Sequence, residues 1–203
     1  KQVSGWDLAE AALARRRGII FLTPHLGCFE ITAQYYAQRA PVSAPLTALY
    51  RPPKKKAVEP LMLAGRARAN LHLASADLRG VRTLLRALKR GEAIGILPDQ
   101  APGVGEGEWA EFFGRPAYTM TLARRLAAAS GAQIVLAYAE RLPRGGGYHL
   151  HLAPMPASIE GESAERRLNR ALEQLIRLCP AQYGWGYNRY KVPAGAKPPA
   201  GPC

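Results

Sequence analysis

A histidine and a glutamate five residues apart are the residues of this sequence best suited to catalysis. His25 follows a buried apolar run at 18–22, and Glu30 falls in the first turn of the next predicted helix. A carboxylate at that position could accept the Nδ1–H of the imidazole, which would leave Nε2 free as a general base. The spacing predicts a His25–Glu30 dyad that activates a hydroxyl of the substrate. The turn at Gly27 and Cys28 is expected to leave backbone N–H groups free for a developing oxyanion.

Two further groups of residues in the sequence could carry other chemistry. Cys28 lies three residues after His25 near a helix N-terminus, where a thiolate is favoured, so a Cys28/His25 thiol enzyme is the alternative. His149 and His151 share one face of a predicted strand, but no further Cys, Asp or Glu is expected nearby, so no metal site is predicted. The sequence contains no nucleotide-binding glycine motif and no serine-hydrolase motif. The predicted enzyme therefore needs no cofactor.

The composition is that of one folded domain with acidic partners. The chain has 203 residues, of which 48% are hydrophobic and 21% charged, and this excludes a disordered or coiled-coil chain. Its 28 Lys and Arg against 15 Asp and Glu give a formal net charge of +13, which favours anionic partners. Three scattered cysteines do not form a disulfide framework, so a reducing compartment is expected.

Apolar runs of strand length alternate with amphipathic helical stretches. This pattern is typical of an α/β domain in which helices flank a mostly parallel sheet. Strands are predicted at 18–22, 41–50, 71–74, 93–97, 134–139 and 148–152, and helices at 29–38, 58–67, 78–90, 119–130 and 164–179. The last two strands are expected to form a hairpin, which makes the sheet mixed. Asp77 and Gly91 are the expected N-cap and stop of the third helix, and a glycine-rich loop is predicted after Gln100, reaching Pro116.

Several short motifs follow one another along the chain. They are H-x-x-x-x-E at 25–30, Y-R-P at 50–52, G-R-A-R at 65–68, P-D-Q at 98–100, F-F-G-R-P-A at 112–117, Q-Y-G-W at 182–185 and R-Y-K at 189–191. In type, order and spacing they resemble the lipid A biosynthesis late acyltransferases, which belong to the wider glycerolipid and lysophospholipid acyltransferases. The resemblance spans residues 18–193 and implies a glycerolipid-acyltransferase-like α/β fold.

The resemblance also implies roles for individual residues. His25 and Glu30 are similar to the catalytic dyad of the family, and Arg68 and Asp99 to two further polar residues that it requires. Arg51 and Arg66 stand in loops beside the implied site, where they are expected to bind phosphate or to support the structure.

The implied activity is transfer of a fatty acyl chain from acyl carrier protein to a hydroxyl of a lipid A precursor in lipopolysaccharide biosynthesis. The expected partners are the acyl carrier protein, the lipid A precursor and the anionic surface of the inner membrane at its cytoplasmic face, with no nucleic acid. An alternative function, a basic nucleic-acid-binding module, is suggested by the pI near 10.1 and by the aromatic and basic segment 183–191.

The expected domain organisation is an acyltransferase domain over 1–193 and a Pro/Gly-rich tail, 194–203, that is expected to be disordered. The family's N-terminal membrane helix has no counterpart in this chain. The chain opens on Lys1 rather than methionine, which is consistent with removal of an N-terminal piece.

Overall fold

The computed structural model describes residues 2–50, 57 and 69–199. Its strands are β1 (Gln2–Ser4), β2 (Ile19–Leu22), β3 (Leu46–Tyr50), β4 (Leu71–Ser75), β5 (Ala93–Ile96), β6 (Gly107–Phe112), β7 (Arg115–Met120), β8 (Gln133–Arg141) and β9 (Tyr148–Pro154). Its helices are α1 (Trp6–Ala14), α2 (Phe29–Arg39), α3 (Leu78–Lys89), α4 (Leu122–Ser130) and α5 (Ala164–Leu178). Single 3₁₀ turns, Pro143–Gly145 and Pro180–Gln182, follow β8 and α5.

Within the described residues, seven strands form one sheet in the order β1-β9-β8-β2-β5-β3-β4. Strand β9 runs antiparallel to β8, while the other neighbouring strands of the sheet pair in parallel. The prediction of an α/β domain with a mixed, mostly parallel sheet is therefore confirmed.

Strand β2 lies in the middle of this sheet and is buried on both faces. Side chains alternate along a strand, so Ile19 and Phe21 pack on one face in a core that includes Tyr36 of α2. Ile20 and Leu22 pack on the other face with residues of α3, α4 and α5. A central strand that is apolar on both faces is what a sheet flanked by helices requires.

The predicted helix between Asp77 and Gly91 is confirmed as α3. The Asp77 carboxylate accepts a hydrogen bond from the Gly80 N–H at 2.9 Å, the usual contact of an N-cap. Gly91 follows the helix with φ of 82°, a left-handed conformation that glycine adopts without strain. The helix predicted at 58–67 lies outside the described residues.

The segment after Asp99, for which the sequence predicts a loop, contains a hairpin of β6 and β7. Its turn residues, Phe113 and Gly114, both have positive φ (48° and 74°), as in the two-residue turns that suit the twist of a hairpin. These strands contain glycine, proline and charged residues, which are uncommon in strands, so their composition indicates a loop rather than a pair of strands. Since β7 continues to Met120, the helix predicted from 119 begins only at Leu122, as α4.

The parallel strands β2 and β5 end at the same edge of the sheet. Leu22 of β2 is the register partner of Ile96 in β5, and His25 and Asp99 each follow three residues later. Loops at the carboxyl ends of parallel strands are where such sheets bind ligands. The register therefore brings together two polar residues that are 74 positions apart in the chain.

Candidate active site

His25 and Asp99 form a doubly hydrogen-bonded pair at this edge. Nδ1 of His25 lies 2.8 Å from Oδ1 of Asp99, and the backbone N–H of His25 donates to Oδ2 at 2.9 Å. The carboxylate is 2% exposed, whereas the imidazole is 30% exposed. An ionised carboxylate only accepts hydrogen bonds, so the proton resides on Nδ1 and the lone pair on Nε2. The ring is thus held in the tautomer of a general base.

The carboxylate that orients His25 is that of Asp99, and the expectation that Glu30 accepts the Nδ1–H is wrong. Glu30 lies in the first turn of α2 and is half-buried. Sequence proximity favoured Glu30, but the strand register places Asp99 directly against the ring. The functional requirement for Glu30 that the family resemblance implies stays a prediction.

Buried polar residues of the C-terminal segment surround Asp99. Burial, together with the negative charge of Asp99, raises the pKa of Tyr183. Burial lowers the pKa of Arg189, while Tyr183 and Asp99 act in the opposite direction. Arg189 is 3% exposed, and its guanidinium donates to the Tyr118 carbonyl and the Thr119 hydroxyl, each at 2.8 Å. The resemblance included Arg189 only as part of a motif, and the structure shows that it ties this segment to β7.

The loop that carries His25 is anchored by its backbone. The His25 carbonyl accepts from the Gly184 N–H at 2.9 Å, and the Gly27 N–H donates to the Gln182 carbonyl at 2.9 Å. The Cys28 N–H donates to the Ala139 carbonyl of β8 at 2.8 Å. The expectation that the Gly27 and Cys28 amides are free for an oxyanion is therefore wrong, because both are used to hold the loop.

A side-chain donor does lie beside the reactive nitrogen. Nε2 of Gln100 is 3.4 Å from Nε2 of His25, and Gln100 is exposed. The P-D-Q motif therefore supplies two neighbouring polar groups. The buried carboxylate of Asp99 bonds one ring nitrogen of His25, and the amide of Gln100 lies beside the other. Sequence reasoning singled out Asp99 but not Gln100, whose position next to Asp99 was the available signal.

Substitution of Gly27 by alanine is expected to destabilise the protein by about 2–5 kcal/mol. Gly27 has φ of 62°, and an added Cβ would lie 2.1 Å from the Ala139 carbonyl oxygen. The loop must shift to relieve this contact, and the shift moves His25. We expect the catalytic rate at this site to fall roughly 10- to 100-fold as well, because catalysis is sensitive to displacements of about 1 Å. Urea unfolding and initial rates measure the two effects.

The matched control for Gly27 is Gly131→Ala. Gly131 has φ of 71° but nothing within 4 Å of an added Cβ. The Gly131→Ala protein should lose only about 1–2 kcal/mol of stability, which is the cost of a left-handed backbone at a residue with a Cβ, and it should keep full activity. Equal stability losses in the two variants, with the catalytic rate unchanged, would contradict the anchoring role of the close contact between Gly27 and Ala139.

The aromatic and basic segment 183–191 is largely packed inside the protein. Tyr183 is 9% exposed, the Tyr187 hydroxyl accepts from the Ala101 N–H at 2.9 Å, and the Tyr190 hydroxyl donates to the Phe112 carbonyl at 2.9 Å. These side chains do not form the open stacking surface on which the nucleic-acid alternative relied. Trp185, which is 57% exposed, is the exposed aromatic residue of the segment.

The strand histidines have an acidic neighbour, contrary to the sequence expectation. Antiparallel pairing places Glu140 of β8 opposite His149 of β9. One ligand-type atom from each of Glu140, His149 and His151 lies within 4.8 Å of the others. Burial and the nearby His151 ring lower the pKa of His149. The expectation that no acidic residue accompanies these histidines is wrong, because the hairpin aligns residues that the linear sequence separates.

Three predicted site residues, Arg51, Arg66 and Arg68, lie outside the described residues. Their assignment to the site stays a prediction. In the part of the chain that the structure describes, no helix has both the length and the apolar character needed to cross a bilayer.

A histidine oriented by a buried carboxylate, at the carboxyl ends of parallel strands of an α/β protein, is an arrangement suited to general-base chemistry. Comparison with known proteins identifies the family. The sequence model of the bacterial lipid A biosynthesis acyltransferases matches residues 1–192, and the chain belongs to that family. The resemblance drawn from the motifs is confirmed.

Three proteins whose names refer to lipid A biosynthesis are similar to this chain. The lipid A biosynthesis lauroyltransferase of Escherichia coli (strain K12) is 28% identical over 195 residues, which cover 94% of this chain and 62% of the relative. The palmitoleoyltransferase of the same organism is 28% identical over 196 residues, covering 94% and 61%. A lipid A biosynthesis acyltransferase of Haemophilus influenzae is 25% identical over 184 residues, covering 89% and 56%. The chain thus spans about three fifths of the length of these relatives.

Proposed function

We propose that this protein transfers a fatty acyl chain from acyl carrier protein to a hydroxyl of a lipid A precursor. The observation that carries the proposal is the His25–Asp99 pair, with a partly exposed imidazole at the carboxyl edge of the sheet. Membership of the family supports the choice of reaction. The names of the lauroyl and palmitoleoyl relatives support a fatty acyl chain as the transferred group.

In the proposed reaction His25 acts on the hydroxyl of the acceptor. Nε2 takes the hydroxyl proton as the oxygen attacks the thioester carbonyl, and then returns that proton to the departing thiolate. The Asp99 carboxylate stabilises the transient imidazolium through the Nδ1–H. No covalent acyl-enzyme is needed. General-base catalysis contributes about 10²–10⁴-fold, so the alignment of two large substrates must supply much of the remaining acceleration.

The tetrahedral intermediate also needs hydrogen-bond donors for its oxyanion. The amides of Gly27 and Cys28 are already bonded within the protein. The Gln100 side chain, beside Nε2 of His25, is a donor in the right neighbourhood, and we include it in the proposed site. Glu30 is included on the resemblance to the family.

The proposed partners are anionic, as a net charge of +13 favours. They are the acidic acyl carrier protein, the phosphorylated lipid A precursor and the cytoplasmic face of the inner membrane. Arg51, Arg66 and Arg68 are proposed to bind phosphate or to support the site. Nucleic acid is not a proposed partner.

The direct test incubates the protein with the tetra-acylated lipid A precursor and acyl carrier proteins loaded with chains of different length. Mass spectrometry of the lipid should show the gain of one acyl group. Acyl-CoA of the same chain length, run in parallel, tests whether the carrier protein is required. Absence of transfer from every thioester donor would contradict the proposed function.

A lipid enzyme should bind anionic vesicles in a way that salt does not fully abolish. Electrostatic attraction weakens as salt rises, but buried hydrocarbon contributes roughly 0.8 kcal/mol per CH₂ at any ionic strength. We expect part of the binding, measured by co-sedimentation from low to high salt, to persist. Trp185→Ala should reduce this persistent part, since an exposed indole suits a membrane interface. Trp109→Ala, which removes a half-buried indole, is the control.

Nucleic acid provides the contrasting measurement. Fluorescence anisotropy with duplex and single-stranded DNA should show binding that disappears with salt and has no preferred sequence. Tight, salt-resistant binding to nucleic acid, together with no vesicle binding and no acyl transfer, would favour the alternative function instead.

A further inference from the structure

Three side chains of the kinds that bind metal ions lie together near one edge of the sheet. They are distant in sequence from the His25–Asp99 pair, and the proposed reaction does not use them. Glu140 lies on β8, and His149 and His151 lie on β9. The register pairs Glu140 with His149, and two residues farther along it pairs Tyr138 with His151. Directly paired residues share a face of the sheet, as do residues two apart on one strand. The hairpin therefore places all three ligand-type side chains on one face.

The side chains are already close together. Nε2 of His151 is 3.0 Å from Oε2 of Glu140, and the centroids of the two imidazole rings are 3.9 Å apart. One ligand atom from each of the three residues lies within 4.8 Å of the others. All three residues are half-buried, so a small ion from solvent can reach them and their side chains can still adjust.

We propose that Glu140, His149 and His151 form a binding site for Zn²⁺, with water in the fourth position. Two imidazoles and one carboxylate are ligands that Zn²⁺ uses in sites with three protein ligands. In a tetrahedral site with bonds of about 2.0–2.1 Å, two ligand atoms are about 3.3 Å apart. The Glu140–His151 separation is near that value, and modest side-chain rotation brings the His149 ring into the same sphere.

A hydrogen bond from a neighbouring strand supports this assignment. Oγ of Ser4 on β1 lies 2.8 Å from Nε2 of His149. Metal-bound imidazoles are commonly oriented by a hydrogen bond at the nitrogen that does not bind the ion. Ser4 fills this role if Nδ1 of His149 coordinates. The site thus joins β1, β8 and β9, which form one edge region of the sheet.

Occupancy of the site would also stiffen the support of the catalytic loop. Glu140 directly follows Ala139, whose carbonyl accepts the Cys28 N–H. A metal held by Glu140 restrains the same stretch of β8. The proposal concerns binding of the ion and its effect on stability, and it does not depend on the proposed acyl transfer.

The test is titration of the untagged 203-residue chain with ZnCl₂ in an isothermal calorimeter. We expect saturable binding of about one equivalent, and a thermal midpoint that rises by roughly 5–10 °C at a hundredfold excess over the dissociation constant. His149→Ala, His151→Ala and Glu140→Gln should each weaken binding by at least about 100-fold, and Ser4→Ala by about 10-fold. Circular dichroism confirms that each variant is folded.

Two control variants identify the histidines responsible. His72→Ala removes an exposed histidine of β4, and His25→Asn removes the catalytic ring. Both should bind Zn²⁺ as the unmodified chain does. Absence of saturable binding, or binding that survives His149→Ala and His151→Ala but is lost with His25→Asn, would overturn the proposal. His151 would then simply stack against Tyr138, whose ring centroid is 4.6 Å from that of His151.

Discussion

Replacement of His25 by alanine is expected to lower kcat for acyl transfer by about 10²–10⁴-fold, because it removes the general base. Binding and alignment of the two substrates account for the activity that remains. The substitution also deprives the buried Asp99 carboxylate of its ring partner, which should lower the free energy of unfolding by about 1–3 kcal/mol. Transfer rates and urea unfolding of the same preparation measure both effects.

A second substitution separates catalysis from stability at this position. His25→Asn places an amide that can donate to Asp99 but cannot act as a base. It should recover stability relative to His25→Ala without recovering activity. An active His25→Asn protein would contradict the mechanism.

Cys28→Ser tests the thiol alternative. A hydroxyl replaces a thiolate nucleophile poorly but is tolerated at a position that is only packed, so near-normal transfer is expected. If Cys28→Ser is inactive and mass spectrometry of the unmodified protein shows an acyl-cysteine adduct, Cys28 and not the substrate hydroxyl is the nucleophile.

Substitution of Asp99 by asparagine is expected to lower transfer by about 10²–10⁴-fold while the protein stays folded. The amide that Asp99→Asn introduces can donate to Nδ1 of His25, which favours the tautomer with its proton on Nε2. That tautomer has no lone pair at the reactive nitrogen. Nitrogen-15 NMR of the histidine ring detects this change directly, with His25→Ala used to assign the signal.

Two carboxylates serve as comparisons for Asp99. Glu30→Gln should lower transfer, as the family resemblance implies, but leave the proton of His25 on Nδ1. Asp77→Asn changes a helix cap whose side chain is 44% exposed, and it should leave both transfer and tautomer unchanged. If Glu30→Gln shifts the tautomer and Asp99→Asn does not, the orienting carboxylate is Glu30 in solution.

The Asp99 variant also shows whether the pair acts as one unit. In a cooperating pair, the double variant His25→Ala/Asp99→Asn loses about as much activity as His25→Ala alone. Independent effects would multiply instead, and Asp99 would then contribute by some route other than His25.

Local sequence signals predicted much of the fold. The cap at Asp77 and the glycine at 91 mark the ends of α3, because the groups that begin and end a helix lie within a few residues of one another. The apolar run of β2 is buried on both faces, as its composition indicates. The motif order identified the family, since it depends only on residue type and spacing.

The same signals failed where partners are distant in the chain. The sequence predicts a loop where the structure has the β6–β7 hairpin, because the glycine, proline and charged residues of this stretch are typical of loops. Glu140 was not recognised as a neighbour of His149, since only the antiparallel register aligns them. Both errors concern contacts set by strand pairing.

The sequence by itself determined the α/β class and the family, and it singled out His25 and, through the family resemblance, Asp99 as candidate site residues. Only the tertiary structure decided which carboxylate holds the imidazole and what the Gly27 and Cys28 amides do. The reason is physical. A hydrogen bond depends on distances of about 3 Å, and His25 and Asp99 reach that distance only because β2 and β5 pair in one particular register.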